Sequence, residues 1–315
     1  MNINWLPSEE TELVINVEDL PNFHIAQDTE ENYTTGAPID HARKFIKELQ
    51  RALQQGKTDE LLILYDRKFN KISDTQFKTS MWPSVEEIEE DENFEVDVDT
   101  FFLYNELTFR HAYSRLHTNL APEVRINTFK NYMDFFKQLS ETKENIALPN
   151  QWIWDMLDEF LYQFQNFCQF RAKIKDETDP SYQYYLENID EIWTFDAVAT
   201  TLTTFVEKSK ILQPGKNVLA DQQTVPNILF YLGHYSMVCL LRLHTLVGDY
   251  AAALKAIEPI DFKRLHIYTK SFPCLISLFY YAGFCYLMQK KYKESVKLLE
   301  FMLSFYLKYK QFYSK

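Results

Sequence analysis

Residues 148–171 read LPNQWIWDMLDEFLYQFQNFCQFR, and this stretch decides the fold class. Pro149 suits a helix start and breaks one that arrives from upstream. Asn150 follows as an N-cap, and Asp155, Asp158 and Glu159 lie toward the positive end of the helix dipole. Ile153, Met156, Leu157, Phe160, Leu161, Phe164, Phe167 and Cys168 recur at the helical period, with Gln163, Gln165, Asn166 and Gln169 on the other side. Trp152, Trp154, Tyr162 and Phe170 fall outside that phase. Such a helix either packs on two sides or presents rings to a protein partner, since Trp and Tyr favour interfaces. Asp155 and Glu159 share a face, but their position reads as helix-start charge rather than as an acid/base pair.

The same pattern extends outward. Eleven prolines punctuate the chain, and the intervals between them are Pro-free and nearly Gly-free. Helical spacing predicts helices over about 39–55, 58–68, 100–118, 122–140, 194–212, 226–247, 249–258, 271–289 and 292–313. The best alternating run is Phe94-Glu95-Val96-Asp97-Val98, so strands are scarce and the fold class is all-α. The chain has 315 residues, 50 aromatics and only 6 glycines. With so little glycine, no GxGxxG, Walker or GxSxG motif exists, which excludes the nucleotide-loop enzymes and the α/β hydrolases. His111 and His117, and His234, Cys239 and His244, are spaced so that they point apart on a helix, and no HExxH occurs. No catalytic, cofactor-binding or metal site is expected. Cys168, Cys239, Cys274 and Cys285 lie in apolar runs without a CxxC and read as buried, reduced thiols of a cytoplasmic protein. No apolar run is long enough to span a membrane.

Charge is segregated. The net charge is −12, yet residues 1–42 hold nine Asp/Glu and no Lys or Arg, and residues 84–99 hold nine more, again without a base. From Lys255 onward, 11 Lys/Arg face 4 Asp/Glu. Acidic runs of this kind are ordinarily solvated and flexible. The expected organisation is an acidic, flexible arm over 1–38, a helical domain over 39–225 with an acidic insert at 84–99, and helical repeats over 226–315.

The repeats are visible in the sequence. Leu246-Val247-Gly248-Asp249-Tyr250 with Ala253 resembles Met288-Gln289-Lys290-Lys291-Tyr292 with Ser295, and Tyr250 and Tyr292 are 42 residues apart. That exceeds the tetratricopeptide period of 34 and falls in the HEAT-like range. Ala253 and Ser295 are small enough for paired helices to approach closely.

Four ordered runs then carry a family resemblance. They are Leu103-Tyr104-Asn105-Glu106-Leu107 with Arg110-His111 and Tyr113, and the LPNQW run continuing through Asp155, Asp158-Glu159-Phe160, Tyr162-Gln163-Phe164-Gln165 and Arg171. Leu240-Leu241-Arg242-Leu243-His244 with Gly248-Asp249-Tyr250 follows, then Tyr280-Tyr281-Ala282-Gly283-Phe284 with Tyr286-Leu287-Met288 and Tyr292. Trp82-Pro83 agrees with them. Over residues 60–315 the chain resembles the subunit L family of eukaryotic translation initiation factor 3. The resemblance implies a right-handed helical-repeat solenoid opening a PCI architecture, with the winged helix that follows it in the family absent here. It further implies a non-catalytic scaffold without cofactors, neighbouring subunits K and E, that reaches the small ribosomal subunit and mRNA through the complex. Direct RNA contact stays open, and no membrane is involved. The alternative is another PCI scaffold of proteasome-lid or signalosome type. Candidate interface or packing residues are Trp152, Trp154, Tyr162, Phe305, Tyr309, Phe312 and Tyr313. The last four lie in a closing helix whose apolar end is expected to be uncapped.

Overall fold

The computed structural model describes residues 36–89, 94–116, 120–141, 146–174, 191–212, 227–262 and 265–313. The acidic arm lies almost wholly outside the described residues, and the side chains of Tyr309, Phe312 and Tyr313 do too. The described residues are helical, with no strand among them. The helices are α1 (Pro38–Gln54), α2 (Thr58–Ile63), a π-helical turn (Leu64–Lys68), α3 (Phe69–Gln76), α4 (Val85–Glu89), α5 (Val98–Arg115), α6 (Pro122–Glu141) and α7 (Asn150–Ile174). Then come α8 (Phe195–Lys208), α9 (Ile228–Leu246), α10 (Tyr250–Ala256), α11 (His266–Thr269), α12 (Phe272–Met288) and α13 (Tyr292–Tyr313). They form two compact units that divide between Thr201 and Leu202, inside α8 and upstream of residue 225.

In the first unit, α1 buries Ala42, Phe45, Ile46, Leu49 and Ala52. Trp82 fills the space beside them, stacked on Phe69 at 4.8 Å and edge-on to Phe45 at 5.5 Å, while its indole donates to Ser73 at 2.9 Å. Part of the acidic insert is packed rather than solvated, because Val85 and Ile88 give it an apolar face at helical spacing, and both are buried. Ser84 and Glu87 cap α4 reciprocally, the Ser84 amide donating to Glu87 at 2.7 Å and the Glu87 amide to Ser84 at 3.3 Å. The alternating run 94–98 pairs with no strand among the described residues, and its last residue opens α5. Gln50 of α1 receives the Asp97 amide at 3.0 Å and donates to the Glu95 carbonyl at 3.2 Å, so a side-chain amide satisfies backbone that a strand would have paired. Asp97 then caps α5 by accepting from the Thr100 amide at 2.8 Å.

Helix α7 packs on both α5 and α6. Trp152 and Trp154 are both in the core, which explains why two residues out of phase with the stripe are aromatic. Two residues depart from the expected stripe: Gln163 is buried and Cys168 is exposed. Gln163 is drawn inward by a polar partner described below. The other three cysteines are buried, and all four are free.

In the second unit, α9 pairs with α10 and α12 with α13, and the pairs stack on each other. The two turns are built alike. After α9, the Gly248 amide donates to Thr245 O and the Asp249 amide to His244 O at 3.0 Å. After α12, the Lys290 amide donates to Leu287 O and the Lys291 amide to Tyr286 O at 2.9 Å. Both are Schellman caps, with φ of 82° at Gly248 and 63° at Lys290. Ala253 and Ser295 are buried against the preceding helices, as their size suggested.

Helices α12 and α13 approach closely at Gly283, where an added Cβ would stand 2.8 Å from Leu299 Cγ and Cδ2. Gly283→Ala is expected to destabilise the chain by about 1–3 kcal/mol through overpacking. Urea denaturation checks this; an unchanged midpoint would show that α12 and α13 are not held this close.

Candidate functional site

The first unit contains a buried ionic network that joins four of its elements. Glu106 of α5 is 1% exposed. Its Oε1 accepts from Arg110 Nε at 3.1 Å and from Arg110 Nη2, one helical turn on. Tyr132 of α6 donates to the same oxygen at 3.4 Å, and Trp152 of α7 donates its indole N–H to Oε2 at 3.1 Å. Arg110 also donates to the hydroxyl of Tyr65, and Tyr65 donates to Asp155 Oδ2 at 2.5 Å. Gln151 donates to both Asp155 oxygens at 2.8 and 2.9 Å. The Tyr65 ring is stacked on Trp152 at 4.8 Å and lies 5.2 Å from the Arg110 guanidinium carbon. Tyr65 sits in the π-helical turn, where the widened backbone re-aims a side chain that a regular helix would carry elsewhere.

Burial sets the electrostatics. It pushes the Tyr65 hydroxyl well above the ordinary phenol range, with Arg110 working against the shift. Burial also raises Asp155, opposed by Arg110, Tyr65 and Gln151. For Arg110 burial works against the charge, but Glu106, Tyr65 and Asp155 outweigh it and hold the guanidinium charged. Burial lifts Glu159 to about 7, opposed by Arg110 and by Gln163, which donates to it at 2.9 Å. This bond is why Gln163 lies inside. Asp155 and Glu159, both half-buried, therefore lie within the field of Arg110 and are not helix-start charges turned to solvent.

A second buried cation lies nearby. Arg125 is 6% exposed, sits 4.5 Å from the Phe170 ring centre and 5.7 Å from that of Tyr113, and donates to Asn166. Its own carbonyl accepts the indole N–H of Trp193 at 3.0 Å. His111 is fully buried in mid-helix on the Ser80 carbonyl at 2.9 Å, and burial lowers its pKa. Among the described residues no group of three or more His, Cys, Asp or Glu side chains is placed to hold a metal ion. None of the described helices is long and apolar enough to cross a membrane. What the network does chemically is clamp helices, since its donors and acceptors are spent on one another.

Of the sequence-derived candidates, Trp152 enters this network and Trp154 is core, whereas Tyr162 is exposed on α7. Phe305 is buried, stacked on Phe272 at 5.6 Å. Sequence reasoning missed the roles of Glu106 and Arg110, although their spacing of four was a readable signal. Tyr65 is 90 residues from Asp155 and left no local trace.

The sequence model of the family described as RNA polymerase I-associated factor PAF67 matches residues 124–315, more than half of the chain. The chain is 35% identical over 287 residues to eukaryotic translation initiation factor 3 subunit L of Anopheles gambiae, covering 87% of this chain and 52% of that one. The corresponding protein of Aedes aegypti is 34% identical over 287 residues, with 87% and 53% covered. That of Drosophila ananassae is 34% identical over 297 residues, with 90% and 54% covered. The chain belongs to the RNA polymerase I-associated factor PAF67 family. It spans about half the length of the curated relatives it matches. The resemblance read from the LPNQW and LYNEL runs is thus borne out. Those runs supply Glu106, Arg110, Trp152, Asp155, Glu159 and Gln163, so two of the four runs that carried the resemblance meet in the network.

Removing one partner of the buried pair leaves the other uncompensated. Glu106→Ala is expected to cost about 3–5 kcal/mol, while the double change Glu106→Leu/Arg110→Met costs clearly less; chemical denaturation of both variants measures the difference. The raised pKa of Glu159 means that the folded chain holds a proton which the unfolded chain has already released. Stability through this group therefore falls as pH rises from the ordinary carboxylate range to about 7. Glu159→Gln removes that slope, so between about pH 5 and about pH 8 the variant should gain about 2–3 kcal/mol relative to the native chain. Parallel pH-dependent curves for the two proteins would contradict it.

Proposed function

We propose that the chain is a non-catalytic scaffold subunit of eukaryotic translation initiation factor 3, supporting assembly of the preinitiation complex on the small ribosomal subunit and recruitment of mRNA. The identity of 34–35% to proteins named subunit L, extending over nearly the whole chain, carries this reading. The inward commitment of the network's ionisable groups agrees with it, because Glu106, Arg110 and Asp155 bind helices together. Stacked helix pairs present extended faces to other proteins, which is what a scaffold needs. The chain works in the cytoplasm, beside subunits K and E, and meets the ribosome as part of the complex. The proteasome-lid or signalosome alternative has no observation in its favour.

Affinity purification of the tagged chain from its source cell is expected to recover initiation-factor subunits, K and E among them, together with small-subunit ribosomal proteins. Recovery of lid or signalosome subunits in their place would overturn the assignment.

A further inference from the structure

Arg125, Thr128, Tyr132, Phe135 and Leu139 recur at the helical period on the buried side of α6. The first position of that stripe is thus an arginine where packing alone would place an apolar side chain. Its place in the first turn adds a second cost, because the positive end of the helix dipole repels a cation. Burial lowers its pKa, opposed by Tyr113 and Tyr162. Buried arginines are ordinarily paired. Arg110 is the example in the same unit, since Glu106 accepts from both its Nε and its Nη2.

Arg125 is bonded differently. Nη1 is spent on Asn166. Nε is buried without a hydrogen-bond partner, and Nη2 donates to none of the described residues. The rings of Phe170 and Tyr113 attract the charge through their faces but leave the in-plane N–H groups without an acceptor. The Tyr113 hydroxyl is a third donor. It is 2% exposed, has no partner of its own, and is near enough to Arg125 that the guanidinium opposes the rise in pKa which burial causes. A hydroxyl that accepted from Arg125 would still have its own O–H to place.

The Nε/Nη2 edge of a guanidinium is a two-pronged donor, which a carboxylate matches with two parallel bonds. A carboxylate brings one negative charge to one cation and has lone pairs left for Tyr113. A phosphate dianion brings two, and no second cation acts on this arginine among the described residues. Water would take the donors and leave the charge unpaired. Tyr162, Asn166 and Phe170 follow one another at i, i+4 and i+8 on α7, the first exposed and the other two half-buried. Tyr162 acts electrostatically on Arg125, so the guanidinium borders this outer face of α7 and is approached from it.

We propose that Arg125 and Tyr113 form a binding site for a carboxylate brought by another molecule, as a free organic acid or as an acidic side chain. The inference rests on the packing of the first unit and not on the assignment to initiation factor 3.

Arginine side-chain NMR of the intact chain tests it. The Nε–H resonance of Arg125 is identified by its loss in Arg125→Met, and that of Arg110, already bonded to Glu106, is the reference for a paired guanidinium. Acetate is the probe for a free acid, and glutamate blocked at both ends is the probe for a side chain. At constant ionic strength, at least one of them is expected to move the Arg125 resonance saturably toward the Arg110 position. The same probe should raise the melting temperature of the native chain but not that of Arg125→Met. The probe that saturates at the lower concentration identifies the source. Arg125→Lys keeps the charge and loses the fork, so it should weaken binding at least about tenfold; it also supplies the assignment if Arg125→Met does not fold. An equal response to chloride would overturn the proposal, as would no response to any probe, which is the result for donors that hold only water. Undiminished binding by a folded Arg125→Lys chain would overturn it too. So would a resonance that stands at the Arg110 position before any addition and is moved by nothing, because the carboxylate would then belong to the chain itself.

Discussion

The salt bridge between Glu106 and Arg110 is the constraint on which the first unit depends. A carboxylate that is 1% exposed needs partners for its lone pairs, and here an arginine, a tyrosine and a tryptophan supply them. Each donor sits on its own element, so satisfying one carboxylate fixes α5, α6 and α7 together. The arginine then has donors to spare, and these bind the hydroxyl of Tyr65 and bring the π-helical turn into register. A buried pair of this kind contributes little net stability compared with apolar packing. What it supplies is a penalty on every alternative packing in which one of its members loses a partner.

The aromatic excess acquires its meaning around that pair. Trp82, Trp152, Trp154 and Trp193 are all buried, and Trp82, Trp152 and Trp193 donate their indole N–H to Ser73, Glu106 and Arg125 O. Large rings with one polar edge let helices pack at a distance while still paying off a buried acceptor. The scarcity of glycine agrees with this. Of six glycines, Gly248 takes the positive φ of a helix cap and Gly283 permits a close crossing, whereas the second cap uses Lys290 and accepts a left-handed conformation that suits glycine better.

Charge segregation has a structural side as well. The acidic insert was expected to be solvated, yet α4 and residues 94–97 lie on α1, held by two buried apolar side chains and by the amide of Gln50. A net-charge argument could not foresee this, because Val85 and Ile88 are outnumbered in the insert and matter only through their spacing.

The sequence by itself determined the helices, the repeat and the family. Those properties are local: apolar spacing, proline punctuation, cap residues and ordered motifs are all read within a few turns of chain. For Trp152 and Trp154 it left two readings, a helix packed on two sides or a face for a protein partner, and the fold buries both rings. Only the tertiary structure decided where the carboxylates point. Asp155 and Glu159 look like helix-start charges until Tyr65, 90 residues earlier, and Arg110 of α5 are brought beside them. Tertiary contact likewise turned Gln163 inward and Cys168 outward. The physical reason is common to these cases. Periodicity states which residues share a face, but burial and the identity of a partner depend on the neighbour that the fold delivers, and the chain does not record that neighbour locally.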